Sequence, residues 1–203
     1  MQIAVLASGE GTTLQAVLDA CASGRLPARV GVVISNNAAA GALRRAHAAG
    51  VPTRHLSAGG PATQDQALSQ TLVDFAPDLV LLAGYMKRLG PVTLADFAGR
   101  IINLHPALLP QFGGQGMYGL NVHRAVLAAG LKISGASVHW VDEDYDTGAV
   151  IAQVRVPVEA GDSAQSLATR VQAAERELII EVLTAAASGR LQPPPQRQAS
   201  ATS

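Results

Sequence analysis

Five short apolar runs alternate with helix-like stretches along the first half of the chain, and this alternation strongly constrains the fold. The runs are Ile3–Ala7, Val30–Ser35, Thr53–Leu56, Leu79–Ala83 and Arg100–Leu104, and the helix-like stretches are Leu14–Ala22, Ala40–Ala49 and Gln64–Phe75. Strands that alternate with helices predict a parallel sheet with helices on both faces. A run that is apolar throughout fits a strand buried on both faces. We therefore expect an open, doubly wound α/β sheet.

The pattern changes after residue 104. A loop rich in Pro and Gly (105–119) and a short helix (122–129) lead to two strand-like runs, Ala136–Val141 and Val150–Val156, which predict an antiparallel addition to the sheet. Asp162 and Ser163 are suited to cap a last helix, whose apolar residues recur at steps of three and four. We expect a single domain over residues 1–190 and a disordered tail over 191–203, which is polar and contains Pro-Pro-Pro.

Charge and composition exclude several classes of protein. The chain has 15 Lys and Arg and 15 Asp and Glu residues, so no broad basic face is expected to bind nucleic acid. A hydrophobic content of 48% excludes general disorder, and the single cysteine excludes an intrachain disulfide. No apolar run reaches the roughly 18 residues of a membrane helix, and no basic leader precedes the first apolar run. We expect a cytoplasmic protein.

The turn from Ser8 to Leu14 joins the first strand to the first helix. Its glycines and the start of the helix can present backbone amides to an anion. Leu14 replaces the third glycine of the dinucleotide-binding pattern, Asn36 follows the second strand in place of an acid, and Gly-Lys-Ser/Thr is absent. A site for a phosphate monoester and an ordinary tight turn both remain.

Asn103 and His105 end the fifth strand and point to the same side, since residues two apart on a strand share a face. An amide beside an imidazole suits acyl transfer, in which the amide stabilises an oxyanion and the imidazole moves protons. The acidic turn Asp142–Asp146 could supply a carboxylate that raises the histidine pKa. A structural histidine and a solvated acidic turn are the alternatives. The wide spacing of His105, His123 and His139 does not indicate a metal site.

Four segments together resemble one known family. They are Ile3–Ala16, Ala83–Leu89, Asn103–Pro110 and Gly135–Gly148. They resemble the phosphoribosylglycinamide formyltransferase family, the folate-dependent formyl-transferring enzymes of de novo purine synthesis, and the resemblance runs from Met1 to about Gly189. It implies transfer of a formyl group from 10-formyltetrahydrofolate to the amine of phosphoribosylglycinamide, on the path to IMP.

The resemblance also implies roles for the matching positions. The catalytic residues would be Asn103, His105 and Asp146, and the phosphate would lie on the backbone amides of Gly11, Thr12 and Thr13. Gln172 and Glu175 would meet the ribose and amide of the amine substrate, and the folate would contact Met86, Lys87, Arg88, Leu89, Asn103 and Asp142. Folate is then a co-substrate, with no permanently bound cofactor, no metal, no nucleic acid and no membrane. The protein would be a monomer or a homodimer.

The chain departs from the family pattern at four places. Thr13 stands where Asn is frequent, Arg88 stands where an aliphatic residue is usual, and Pro61–Gln64 lacks a basic residue that meets the folate. The loop Phe112–Gly119 is longer than in the shortest members, and its glycines suggest either a mobile lid or a neutral insertion.

The implied mechanism uses a protonated His105 and an Asn103 amide to stabilise the oxyanion, with Asp146 keeping His105 charged. Other proteins share parts of this pattern. A formyltransferase acting on initiator tRNA would need an RNA-binding domain and a basic surface, and a formyltetrahydrofolate hydrolase usually has a regulatory domain before the first strand. A non-catalytic binding module on the same fold predicts a broken trio, and a nicotinamide oxidoreductase is disfavoured by Leu14 and Asn36.

Overall fold

The computed structural model describes residues 1–193, and the positions from Pro194 onward lie outside it. The strands are β1 (Gln2–Leu6), β2 (Arg29–Ser35), β3 (Thr53–His55), β4 (Leu79–Leu82), β5 (Ile101–His105), β6 (Ile133–Trp140) and β7 (Val150–Pro157). The helices are α1 (Thr12–Ala22), α2 (Gly41–Ala48), α3 (Pro61–Phe75), α4 (Pro91–Asp96), α5 (Leu120–Ala128) and α6 (Ala164–Ala187).

The seven strands form one sheet in the order β3-β2-β1-β4-β5-β6-β7. Strands β1 to β5 are parallel, and β6 and β7 are antiparallel additions beyond β5. The predicted doubly wound sheet with its antiparallel addition is therefore confirmed. Asn103 on β5 pairs directly with His139 on β6, so this antiparallel neighbour adds a histidine to the end of the sheet.

Side chains along each central strand enter two separate cores, one on each face of the sheet. On β1, Ile3 and Val5 enter one core, whereas Ala4 and Leu6 enter the other. Helices α1, α2, α5 and α6 contribute to the first core, and α3 contributes to the second. This alternation explains why the central strands are apolar at every position. Among residues 1–193, no helix is both long and apolar enough to cross a membrane.

Helix α4 is the one regular element that the sequence pattern does not predict, because six residues are too few to show helical periodicity. Its start is held by Asp65 of α3, whose carboxylate accepts hydrogen bonds from the amides of Val92 (2.8 Å) and Thr93 (3.1 Å). The predicted cap of the last helix is confirmed, since the Ser163 hydroxyl accepts from the Ser166 amide. Most of the predicted tail lies outside the described residues, but Leu191 packs against the first core.

Candidate active site

The carboxyl ends of β1, β4 and β5 meet at one edge of the sheet and border a cavity of about 1010 Å³. Doubly wound sheets bind ligands at this edge. Every site residue predicted from the sequence lines this one cavity, namely Gly11, Thr12, Thr13, Met86, Lys87, Arg88, Leu89, Asn103, His105, Asp142, Asp146, Gln172 and Glu175. Residues from distant parts of the chain thus face one shared space.

The turn after β1 has the geometry of an anion site. Gly11 precedes the first residue of α1 and has a left-handed backbone (φ 72°), and no side chain caps the helix start. The amides at this start are therefore open to a ligand, and the helix dipole favours a negative charge there. A Cβ atom on Gly11 would lie 2.7 Å from the Cα of Ala42, so the close approach of α2 also requires glycine.

The loop after β4 is tied to its surroundings on both sides. The Ser8 hydroxyl accepts a hydrogen bond from the Met86 amide (2.8 Å) and donates one to the Asn36 side chain. Arg88, the unusual residue of this loop, donates to the carbonyl of Glu143, lies 3.2 Å from the Asp144 carboxylate and covers the Tyr145 ring at 5.6 Å. These contacts join the loop to the acidic turn across the cavity mouth.

Asn103, His105 and Asp146 come together beneath this mouth. His105 Nδ1 lies 3.5 Å from Asp146 Oδ2, and Asn103 Nδ2 lies 3.3 Å from Asp146 Oδ1. The Asp146 carboxylate also accepts the amide of Gly114 at 2.9 Å. Burial acts to raise the pKa of Asp146, but hydrogen bonding from His139, the charge of His105 and the Gly114 amide together hold it below its usual value. Asp146 is therefore anionic at neutral pH.

The structure corrects the expectation that Asp146 keeps His105 charged in the free protein. Burial lowers the pKa of His105, and this effect outweighs the Asp146 carboxylate, which raises it. Desolvation dominates because the side chain is only 4% exposed. Both ring nitrogens nevertheless face oxygen atoms, since Nε2 lies 2.8 Å from the carbonyl of Phe112. A proton gained by the His105 ring would therefore face an oxygen atom at either nitrogen.

His139 is a buried member of this cluster that the sequence pattern does not assign to it. Its Nε2 lies 3.0 Å from Asn103 Nδ2 and 3.4 Å from Asp146 Oδ1, and its Nδ1 contacts the carbonyl of Trp140 at 2.8 Å. The Asn103 amide nitrogen and the His139 ring therefore both face the same oxygen of the Asp146 carboxylate. Within residues 1–193, no group of His, Cys, Asp and Glu side chains has the arrangement of a metal site.

Helix α6 contributes two polar groups to the opposite wall. Gln172 is exposed to the cavity, whereas Glu175 is buried, with 7% of its surface accessible. Burial raises the pKa of Glu175 to about 7, and the charge of Arg176 offsets this only partly. The three-residue spacing on a helix places both side chains on one flank, as expected.

The loop of residues 112–119 contacts both His105 and Asp146. It supplies the Phe112 carbonyl to His105 and the Gly114 amide to Asp146. Most of the loop lines the cavity, so it is not a remote insertion. Pro61–Gln64, by contrast, form the first turn of α3 and do not line the cavity.

Comparison with known proteins gives consistent similarities. The family model described as formyl transferase matches residues 1–183. Phosphoribosylglycinamide formyltransferase of Escherichia coli (strain K12) is 41% identical over 194 residues, which cover 94% of this chain and 89% of the relative. The crystal structure of glycinamide ribonucleotide transformylase 1 from Symbiobacterium toebii superimposes with a TM-score of 0.89 at 42% identity, covering 96% of this chain and 91% of that one.

A longer relative matches the same region. The trifunctional purine biosynthetic protein adenosine-3 of Gallus gallus is 38% identical over 195 residues, which cover 95% of this chain but 19% of that protein. The similarity therefore extends over nearly the whole of this chain and includes both walls of the cavity.

Proposed function

Because the chain belongs to the formyl transferase family, we propose that Asn103, His105 and Asp146 transfer the formyl group of 10-formyltetrahydrofolate to the amine of phosphoribosylglycinamide. The protein is a one-carbon transferase of purine biosynthesis, as its relatives' names indicate. The observation that carries the residue assignment is that the three side chains and the Gly11–Thr13 turn line one cavity. A phosphate on that turn would direct the rest of the amine substrate toward His105.

The bond changes follow from ordinary acyl transfer. The amine nitrogen attacks the formyl carbon, a new C–N bond forms, and the formyl oxygen takes up the electron pair of the carbonyl bond. The carbonyl bond then re-forms as the bond from the formyl carbon to N10 of the folate breaks, and N10 leaves with the proton that the amine has given up. The products are the formylated amine and tetrahydrofolate. No redox step, metal or nucleotide cofactor is required.

His105 carries the proton between the two nitrogens. Its neutral form in the free protein suits it to accept the proton that the attacking amine releases. The imidazolium that forms is stabilised by the Asp146 carboxylate, and it can then protonate the leaving nitrogen. In the free protein the Asn103 side-chain amide lies 3.3 Å from the Asp146 carboxylate. When substrate is bound, one N–H of this amide turns away from Asp146 and donates a hydrogen bond to the oxyanion. The charge on His105 is thus acquired during the reaction.

The remaining contacts divide the cavity between the two substrates. Residues 86–89 and Asp142 bind the folate, while Gly11, Thr12, Thr13, Gln172 and Glu175 bind the phosphorylated amine. Thr13, which stands where Asn is frequent in the family, is compatible with a phosphate that is held by backbone amides. Arg88 holds the loop after β4, which contains residues 86–89, against the acidic turn Asp142–Asp146. The catalytic unit is the single domain of residues 1–190, acting in the cytoplasm as a monomer or homodimer.

The decisive experiment follows folate conversion by absorbance with and without phosphoribosylglycinamide. We expect conversion to require the amine and to persist in EDTA. Conversion at the same rate without the amine would mean hydrolysis and would refute the proposal. His105→Asn should lower turnover at least about 10²-fold, whereas His47→Asn, which changes an exposed histidine outside the cavity, should leave it unchanged.

A further inference from the structure

A third histidine, His123 of α5, lines the same cavity and has no role in the steps above. Only 2% of its surface is accessible. Its Nδ1 atom is fully buried, and no group in residues 1–193 forms a hydrogen bond with it. Buried polar side-chain atoms are normally paired, so this one calls for a physical explanation.

The unpaired nitrogen fixes the tautomer of the ring. A neutral imidazole carries one N–H donor and one acceptor nitrogen. A fully buried N–H with no partner is rare in native structures, so we assign the proton to Nε2, the ring nitrogen that is not among the fully buried unpaired atoms. Burial, and next to it the charge of His105, lowers the pKa of His123, which keeps the ring neutral.

The donor nitrogen is available to a ligand. Nε2 is not one of the fully buried unpaired atoms, and no hydrogen bond within residues 1–193 engages it. It is therefore the ring nitrogen that reaches the cavity. Helix α5 packs against α6, which carries Gln172 and Glu175 on the amine-substrate side.

We propose that His123 is a further substrate-binding residue, whose Nε2–H donates a hydrogen bond to an oxygen atom of bound phosphoribosylglycinamide. This inference rests on the proposed function, because that function supplies the ligand. It assigns His123 to the amine substrate and not to the folate.

The first test reads the tautomer directly. Nitrogen-15 NMR of the full chain should show His123 as the Nε2–H form at neutral pH, and added phosphoribosylglycinamide should shift the Nε2 resonance. A proton on Nδ1, or an Nε2 resonance that the saturating ligand leaves unchanged, would overturn the proposal. This test needs no turnover, so it separates a failure here from a failure of the proposed reaction.

The second test uses matched variants. The amide nitrogen of Gln reaches the position of Nε2, that of Asn reaches only the depth of Nδ1, and Leu has no donor. We expect KM for phosphoribosylglycinamide to rise about tenfold in His123→Leu and His123→Asn, the size of one lost hydrogen bond, and about threefold or less in His123→Gln. KM for 10-formyltetrahydrofolate should change less than about twofold in all three, within the error of such comparisons.

Three results of the kinetic test would contradict the assignment. Equal losses in the Gln and Leu variants would indicate a structural role, with thermal stability falling in parallel. A rise in KM for the folate in place of the amine would assign His123 to the other substrate. Unchanged kinetics in His123→Leu would remove it from the site altogether.

Discussion

Asp146 connects the polar groups at this end of the sheet, because it contacts three separate parts of the chain. One oxygen accepts the Gly114 amide and lies 3.5 Å from His105, and the other lies within 3.4 Å of Asn103 and His139. The residue has a left-handed backbone (φ 57°), which Asp tolerates better than most residues. Its low pKa keeps it anionic, so its charge is available whenever His105 gains a proton.

Replacing that charge tests the role of Asp146. Asp146→Asn keeps the size of the side chain, and we expect turnover to fall at least about 10²-fold, or about 2.7 kcal/mol of transition-state stabilisation. The pKa of His105 should fall below its already lowered value, because the carboxylate raises it. NMR titration of His105 and steady-state kinetics measure the two effects.

Binding of the phosphorylated amine serves as the internal control for this variant, since the Gly11–Thr13 turn does not depend on Asp146. The double variant His105→Asn, Asp146→Asn should lose much less than the product of the two single losses. Full additivity or an unmoved His105 pKa would show that Asp146 does not act through His105.

Glu175 makes stability depend on pH. Its pKa is about 7 in the folded protein, against an ordinary value of 4.5. Between these values the folded state binds more protons than the unfolded state, so the free energy of unfolding falls as pH rises and stays low above pH 7. We expect Glu175→Gln to be more stable than the parent by about 1–3 kcal/mol at high pH and nearly equal at low pH.

Urea unfolding of Glu175→Gln and of the parent protein at about pH 8 and about pH 4.5 measures this difference in the free energy of unfolding. Glu181→Gln, on an exposed position of the same helix, should behave like the parent at both values. A constant difference across the range would mean that desolvation of the Glu175 carboxylate does not govern the effect.

The sequence predicted that Asn103, His105 and Asp146 come together, but it did not predict the charge state of His105. Asn103 and His105 are two apart on one strand, which is a local pattern, and Asp146 came from the resemblance. The burial that keeps His105 neutral depends on elements packed around it and has no local signal. His139 could have been found from the antiparallel pairing of β5 and β6, but only once the register of the two strands was known.

At the scale of elements, the strand-to-helix turns determine which backbone amides face the cavity. Strand ends predicted from apolar runs agree with the structure to within about one residue, because a buried strand has a clear composition. The exception is the start of β6, which lies at Ile133, three residues before the predicted Ala136. Helix α4 was missed, since a single turn and a half has no usable period. From the sequence, the loop of residues 112–119 could be either a mobile lid or a neutral insertion. Its contacts to His105 and Asp146 favour the lid, which stays a prediction.

Gly11 provides a test of the phosphate turn. In Gly11→Ala the new Cβ would lie 2.7 Å from the Cα of Ala42 in a left-handed backbone, so the turn must shift. We expect KM for phosphoribosylglycinamide to rise at least about tenfold through loss of amide contacts. Gly9→Ala is the matched control, because its Cβ would meet nothing within 4 Å.

A rise in KM in Gly11→Ala could come from lost contacts to the phosphate or from a general loss of stability. Calorimetry of binding of the phosphorylated product, together with thermal unfolding, separates these two causes. Weak binding with little loss of stability supports the anion site. If Gly9→Ala and Gly11→Ala bind equally well, the turn is only a connection between β1 and α1.

At the scale of the whole molecule, one sheet edge gathers groups that are far apart in the chain. Gly11 follows β1, His105 ends β5, and Glu175 lies in the last helix, yet all three border one cavity. The fold class could be predicted because strand and helix periodicity are local. Their convergence could not, because it depends on the strand order β3-β2-β1-β4-β5-β6-β7, which places β1 and β4 at the centre.

The end of the packed part of residues 1–193 is set by what the last of these residues bury. Leu191 is half-buried and packs against the core that α6 shares with β6 and β7, whereas Gln192 and Pro193 are exposed.

We expect a chain that ends at Leu191 to melt within about 2 °C of the full chain, because the removed segment is Pro-rich and polar. Leu191→Ala in that shorter chain should remove about 1 kcal/mol of burial and lower the midpoint by about 2–4 °C. Calorimetry of the three chains measures both steps. A large drop on truncation alone would mean that residues 192–203 stabilise the domain, and an unchanged midpoint in Leu191→Ala would place the end of the packed core before residue 191.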